Sequence, residues 1–446
     1  MYHGQEGPNP TPGNPFPAHF TWVDLVFPVF LFAMGAAFPF ALSRRLGLGE
    51  SMGRILVGVF LRYALLVAFA IYLQNTIPYV MGGSRVDHVV GFAAFLLLFP
   101  ILTRFPKSWN SRFVLALRVA GVAGAVALLW LNDVTGNLEF DLHRGDPIIL
   151  VLANMALVGS VLWLLGRRNR AAKLATLTVG LAIGLLGHAS MGGENHVTFG
   201  LADALAPLND GWWFNWAWRL LFLKYLIVVV PGMIVGDLLF AWMRSREVES
   251  MTRWSTARLW GLVGVLSVAV VFAHMGLFAR WSIATPIVLT LLCVLALMLA
   301  RDPKSSTERL IAHCLRWGAL CLAVGLIFEP FEGGIKKTPS TMSHYLISAG
   351  LSMLLLVALL IVIDVFGHRR WGLGLMISNG QNPMLAYAGI RGLLGPFYAL
   401  TGIDSLITTP VFALSAWLGA AWGFLKSLSL AWVVGLFTRW KILWRT

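Results

Sequence analysis

Charged residues are scarce in this sequence. Lys, Arg, Asp and Glu make up 12% of its 446 residues, compared with roughly 25% in soluble domains. Hydrophobic residues make up 58%, and the mean hydropathy is +0.76. This composition excludes an ordinary soluble domain. It predicts a polytopic membrane protein with an all-α fold, a transmembrane helix bundle.

Several chemical signatures are also missing. The three cysteines, Cys293, Cys314 and Cys321, all lie in apolar runs, and the last two are roughly 10 Å apart along one helix, too far for a disulfide. The HExxH and CxxC patterns are absent, so we expect no metal site. The Walker pattern of nucleotide-binding proteins and the GxSxG pattern of serine hydrolases are absent too. The net charge of +14 is scattered between apolar runs, so we expect no nucleic-acid partner.

Thirteen apolar runs are candidates for membrane spans, and because the third is short and the last is long we expect 11–13 spans. They cover residues 24–43, 53–80, 87–103, 112–131, 147–166, 172–190, 216–243, 258–277, 282–300, 309–330, 341–364, 383–402 and 411–438. Residues 1–20 are rich in Pro, Gly and Asn and lack the apolar region of a signal peptide. We therefore expect an N-terminal loop over 1–20 and a single transmembrane domain over 21–446.

Basic residues in the connections alternate between the two sides. One set of connections holds 22 Lys and Arg residues, and the other holds five, namely Arg85, Arg144, Arg280, Lys336 and Lys337. By the positive-inside rule this split predicts an N-terminus outside and a C-terminus in the cytoplasm. We expect a multi-pass protein of the bacterial inner membrane.

A few charges fall within or next to the apolar runs. Asp24 stands one turn inside the first run, where a carboxylate is costly unless it caps the helix or belongs to a site. Seven basic residues lie inside runs, and snorkelling to the interface is the ordinary explanation for most of them. Lys224, near an aromatic entry, and Arg391, in mid-span, are the better candidates for a functional role.

Four segments resemble one enzyme family. They are WVDLVFPVFLFAMGAAFPFALSRR at 22–45, LKYLIVVVPGMIVGDLL at 223–239, EGGIKKTPSTMSHYLISAGL at 332–351 and NGQNPMLAYAG at 379–389. The first is similar to the DLVFP-x-F-x-F-x-x-G signature of the heparan-α-glucosaminide N-acetyltransferase family, especially a bacterial branch of it. The others fit the same branch in the same order.

The resemblance implies an enzyme that takes acetyl from cytosolic acetyl-CoA and delivers it to an amino group of a glucosamine-type sugar at the outer face. It implies a catalytic histidine at His3, and His19 is the competing candidate. Lys337 or Asn382 would stabilise the thioester oxygen, and Lys224 and Arg391 would attract CoA phosphates. The expected partners are this small-molecule or glycan substrate, the lipid bilayer and a second copy of the chain.

The chain departs from the family at its start. Relatives have an earlier span that begins with R-x-x-x-x-D-x-x-R-G, and this chain begins where that span would end. We expect either a start codon upstream or a truncated copy. The alternative function is a transporter or flippase of a sugar or lipid-linked substrate, indicated by the many spans, the buried charges and the Pro and Gly interruptions.

The charge split predicts the topology of the connections. Cysteines introduced at Gly136 or Asn195 should react with an impermeant thiol reagent in intact cells, and a cysteine at Asn169 should not. The parent chain is the control, because its three cysteines lie in apolar runs. Labelling at Asn169 alone would overturn the predicted orientation.

Overall fold

The computed structural model describes residues 20–106, 108–167, 169, 214–245, 252–337, 340–368 and 371–444. The α-helices in these ranges are α1 (Trp22–Gly47), α2 (Met52–Gln74), α3 (Pro78–Met81), α4 (Arg85–Leu102), α5 (Ser111–Val134), α6 (Pro147–Gly166), α7 (Leu226–Ser245), α8 (Thr256–Phe278), α9 (Ala284–Leu299), α10 (Ser306–Phe331), α11 (Met342–Leu360), α12 (Trp371–Gln381), α13 (Pro383–Gly389), α14 (Gly395–Thr401), α15 (Ile403–Leu414) and α16 (Ala416–Arg439). A 3₁₀ turn, Leu220–Tyr225, precedes α7, and π segments at Ile361–Val365 and Ile390–Leu394 follow α11 and α13.

The all-α transmembrane fold is confirmed. Within the described ranges, 10 helices are long and apolar enough to cross a membrane, and α9 is a shorter apolar helix. Each coincides with a predicted run. The run at 383–402 is helical through α13, a π segment and α14, and the run at 172–190 lies outside the described residues. Helix α12 was not predicted as a separate element.

Helix α1 starts where its sequence supplies a cap. Thr21 precedes the helix in extended conformation, and the Asp24 carboxylate accepts hydrogen bonds from the Thr21 backbone N–H at 2.9 Å and hydroxyl at 2.7 Å. An acidic side chain in the first turn also complements the helix dipole. Asp24 therefore caps α1, and its predicted part in a catalytic site stays a prediction.

Glycines allow α1 and α7 to approach each other closely. A methyl group at Gly35 would collide with the carbonyl oxygen of Val229, and one at Gly232 with that of Phe32. Gly232 and Gly236 form a GxxxG pattern, which permits backbone contact between membrane helices. The signature segment 22–45 is thus packed directly on the segment 223–239.

Contacts divide the chain into two compact units. The first comprises Met1–Tyr63 and Val151–His368, and the second comprises Ala64–Leu150 and Arg369–Thr446. Helices α1 and α7 to α11 belong to the first unit, and α3 to α5 and α12 to α16 belong to the second. The prediction of a single domain over 21–446 stays a prediction.

The glycine contact can be tested by adding one methyl group. We expect Gly232→Ala to lower the melting temperature of the detergent-solubilised protein, because the new Cβ meets backbone that cannot rotate away. Gly264→Ala is the control, since a Cβ there meets nothing within 4 Å. Ala is a better helix former than Gly by about 1 kcal/mol, so the control should be neutral or slightly stabilising. Equal melting temperatures for the two variants would contradict the close packing.

Candidate functional site

Asp24 and Lys337 form an ion pair in the first unit. The Lys337 Nζ atom lies 3.6 Å from the Asp24 Oδ1 atom, and the side chains are 31% and 11% exposed. Asp24 sits in the first turn of α1, whereas Lys337 belongs to the connection between α10 and α11. The pair therefore joins two of the four segments on which the family resemblance rests.

Backbone hydrogen bonds fix the connection that carries Lys337. The Glu332 carboxylate accepts from the backbone N–H of Met342 at 2.6 Å and of Ser343 at 2.9 Å. The Thr341 hydroxyl caps α11 and accepts a 3.1 Å bond from the backbone N–H of Lys336. These contacts hold the connection against the start of α11 and so position Lys337 beside Asp24.

His344 lies in the first turn of α11 and is 3% exposed. Its ring is 5.9 Å from the Phe20 ring and 5.6 Å from the Tyr345 ring, measured between centroids. Its Nδ1 atom is buried and has no hydrogen-bond partner among the residues that the structure describes. Such an atom in a folded protein calls for an explanation.

A half-buried histidine also flanks Phe20. The His274 ring lies near the end of α8, 5.2 Å from the Phe20 ring. Its Nδ1 atom makes a 2.7 Å hydrogen bond with the carbonyl oxygen of Val270, and its Nε2 atom is buried without a partner within the described ranges. Phe20 is thus packed between two imidazole rings.

Lys224 lies at the same end of the first unit. It belongs to the 3₁₀ turn before α7, and its Nζ atom is 5.9 Å from the centroid of the Tyr225 ring. The Tyr225 ring packs edge-on against Tyr345 at 5.3 Å and Phe27 at 5.7 Å. We call this region of the first unit the Asp24 end: Phe20, Asp24, Lys224, His274, Lys337 and His344.

Arg391 and Asn382 belong to the second unit, where both have structural partners. The Arg391 guanidinium is 3.1 Å from the Asp146 carboxylate, which is 1% exposed. The Tyr387 hydroxyl donates its one hydrogen to the same carboxylate and lies 2.9 and 3.0 Å from its two oxygens. Asp146 additionally caps α6 by accepting from the backbone N–H groups of Ile148 and Ile149. One carboxylate therefore anchors the start of α6 and pairs with an arginine whose side chain is 35% exposed.

Asn382 ties down the C-terminal segment. Its side-chain amide donates to the carbonyl oxygen of Ile442 at 2.8 Å and accepts from the backbone N–H of Trp444 at 3.1 Å. The residue is fully buried. These bonds use its amide oxygen and one amide hydrogen, so a structural role accounts for its burial, and its predicted role on the thioester stays a prediction.

The structure therefore groups some of the predicted site residues and leaves others separate. Asp24, Lys224 and Lys337 share the Asp24 end, whereas Asn382 and Arg391 lie in the second unit. His3 and His19 lie outside the described residues. In the part of the chain that is described, no three His, Cys, Asp or Glu side chains could together hold a metal ion, and the expectation of a metal-free protein stays a prediction.

Two histidines of the Asp24 end, the buried His344 and the half-buried His274, were missed from the sequence. His344 was inside the segment 332–351 that carries the resemblance, and this location was the signal that could have singled it out. His274 offered no such signal, because it stands alone in an apolar run.

Comparison with known families gives one match. Residues 1–239, more than half of the 446-residue chain, match a family described as a domain of unknown function, DUF5009. The chain belongs to this family. No curated protein and no solved structure matches it. The DUF5009 match includes Asp24, Lys224 and the glycine contact between α1 and α7, and it ends before Lys337 and His344.

The Asp146 cluster gives a prediction about stability. Asp146→Ala removes the cap of α6, a loss of about 0.5–2 kcal/mol, and leaves the half-buried Arg391 without its carboxylate. We expect a clear fall in the melting temperature in detergent. Asp133→Ala is the control, because Asp133 is exposed and contacts only its own loop through the Phe140 N–H. If the two variants melt alike, Asp146 does not anchor the second unit.

Proposed function

We propose that this protein is a membrane acetyltransferase that moves acetyl from cytosolic acetyl-CoA to the amino group of a glucosamine-type sugar at the outer face of the inner membrane. The observation that carries the proposal is the convergence of three resembling segments in the first unit. Segments 22–45 and 332–351 meet through the Asp24–Lys337 pair, and segments 22–45 and 223–239 meet through the glycine contact.

The Asp24 end has groups suited to acyl transfer. When an amine attacks a thioester, negative charge develops on the carbonyl oxygen, and a fixed cation in a site that excludes water stabilises that charge. Lys337 is such a cation, since Asp24 holds it and its side chain is largely covered. An imidazole matches the other requirement, because it can accept the amine proton at neutral pH. Direct transfer and an acetyl-histidine intermediate both use these groups.

The distribution of basic residues supports the proposed orientation. In the first unit, the ends of helices opposite to the Asp24 end carry most of the basic side chains, namely Arg44, Arg45, Arg54, Arg244, Arg253, Arg258, Arg301, Lys304 and Arg309. The positive-inside rule turns this side to the cytoplasm, where it would attract the phosphates of CoA. The Asp24 end then faces the acceptor.

This orientation also bears on the two cations proposed to bind CoA phosphates. Lys224 lies at the Asp24 end, about 30 Å of helix away from the basic side of α7. It is better suited to the reacting end of acetyl-CoA than to the phosphates. Arg391 is paired with a carboxylate, as Lys337 is, and the basic connections hold far more positive charge than either residue.

Isolated membranes with labelled acetyl-CoA and glucosamine test the proposal. We expect labelled N-acetylglucosamine that depends on the protein. Uptake of unmodified sugar into vesicles without acetylation would favour the transporter instead. The two π segments and the prolines inside helices are the observations that support a transporter.

The same assay tests Lys337. Lys337→Gln should lower acetyl transfer by about 10²–10³, the loss typical of one donor to a developing oxyanion, while the protein stays folded. Lys336→Gln is the matched control, because Lys336 is adjacent and its hydrogen bonds to Thr341 come from the backbone. Equal activity of the two variants would remove Lys337 from the reaction.

A further inference from the structure

A small depression with side chains of both charge signs lies in the first unit, on the predicted outer side. It is bounded by the connection between α8 and α9 and by the end of α10, and its lining includes Arg280, Trp281, Ser282, Thr285 and Glu329. It encloses about 250 Å³, part of it open to solvent, and its inner part has room for about one water-sized group. A site of this size receives one end group of a larger ligand.

We propose that this depression binds the ammonium group of the acceptor amino sugar, which Glu329 and Trp281 recognise by its positive charge. The inference rests on the proposed function for the identity of the sugar, and it deepens that function by naming where the acceptor binds. A carboxylate forms a charge-assisted hydrogen bond with an ammonium, and the face of an indole ring attracts a cation. Acetylation removes the charge and with it both contacts, so the product is bound more weakly than the acceptor.

Glu329 is a half-buried acid in the last turn of α10. Its carboxylate accepts a hydrogen bond from the backbone N–H of Ile335, and within the described ranges no basic side chain forms an ion pair with it at 4 Å or less. A carboxylate has about four acceptor positions, so most of them remain for a ligand. An acid in a membrane helix is costly and marks a site by default.

Thr285 offers a hydroxyl that the described part of the chain does not use. The residue lies in the first turn of α9 and is 2% exposed, and its Oγ1 atom has no hydrogen-bond partner among the described residues. The facing residue of α8 is Gly276, where a Cβ would collide with this oxygen. A buried polar group without a partner calls for an explanation, and an ammonium in the depression supplies one, because the hydroxyl oxygen accepts a hydrogen bond from it.

The rim of the depression is exposed and contacts the connection that carries Lys337. Trp281 is 43% exposed, which leaves its ring accessible. Arg280 has a φ of 55°, a conformation that is costly for residues other than glycine and that occurs often at ligand sites. Its guanidinium donates to the Gly333 carbonyl oxygen at 3.2 Å and keeps further N–H groups for the oxygens of a sugar ring. The connection between α10 and α11 therefore contacts this rim through Gly333 and Asp24 through Lys337.

Equilibrium binding of labelled glucosamine to the purified protein, without acetyl-CoA, tests this site. We expect Glu329→Gln to weaken binding by about 10- to 100-fold, the loss typical of a hydrogen bond to a charged group, and Trp281→Ala to weaken it by about 2- to 5-fold. Glu139→Gln and Trp130→Ala are the matched controls, because both residues are exposed and belong to the second unit. Glucose and N-acetylglucosamine, which lack the charge, should compete at least about tenfold more weakly.

Thr285→Val guards against misfolding. It should weaken glucosamine binding while the melting temperature stays equal or rises, because the hydroxyl has no partner in the described part of the chain. Ethanolamine tests the other source of an ammonium group, a lipid headgroup, and binding as tight as that of glucosamine would overturn the assignment to a sugar.

The outcomes for the site and for the proposed function are separate. Unchanged glucosamine affinity in Glu329→Gln, or no binding to the wild-type protein, would overturn the inference, and acetyl transfer by the wild-type protein would still leave the acetyltransferase proposal standing. Charge-dependent glucosamine binding by a protein that transfers no acetyl would support the site and remove the acetyltransferase proposal.

Discussion

Charge inside an apolar helix bundle has to be paired, and the pairing of Asp24 with Lys337 is the constraint on which the first unit depends. Asp24 performs two tasks at once. It caps α1 through Thr21, and it holds a cation that belongs to a distant part of the sequence. Because an unpaired charge in hydrocarbon costs several kcal/mol, the start of α1 and the connection before α11 cannot separate without penalty.

The second unit obeys the same constraint with different residues. Asp146 caps α6 and neutralises Arg391, just as Asp24 caps α1 and neutralises Lys337. In both units an acid at the start of a helix is the partner of a basic residue from late in the chain. Two of the predicted functional cations thus have structural partners, and in the second unit the Tyr387 hydroxyl also donates to the carboxylate.

The sequence predicted the helices well, because apolar length is the dominant signal in a membrane protein. It did not predict α12 as a separate helix or the π segment within the run 383–402, since hydropathy does not register a local change in hydrogen-bond pattern. It identified Asp24 and Lys337 singly, but their pairing depends on how α1 packs against α7 and α11. The contact of α1 with α7 rests on glycines such as Gly232, whose role is visible only once the facing backbone is known.

The site could be predicted only in part, because contacts between distant segments are not visible in the sequence. The family resemblance identified four segments, and the structure shows which of them are in contact. His344 was not singled out although it lies in a resembling segment, because a single histidine has no spacing that indicates a base or a ligand. Its unpartnered nitrogen becomes visible only in three dimensions.

The most direct measurement of the central claim is a double-mutant cycle on acetyl transfer with Asp24→Asn, Lys337→Gln and the two combined. If the two residues act as one unit at the reacting end, each single variant loses most of the acetyl-transfer activity. The double variant is then about as active as the less active of the two single variants. Losses that simply multiply, or variants that keep wild-type rates, would contradict the account.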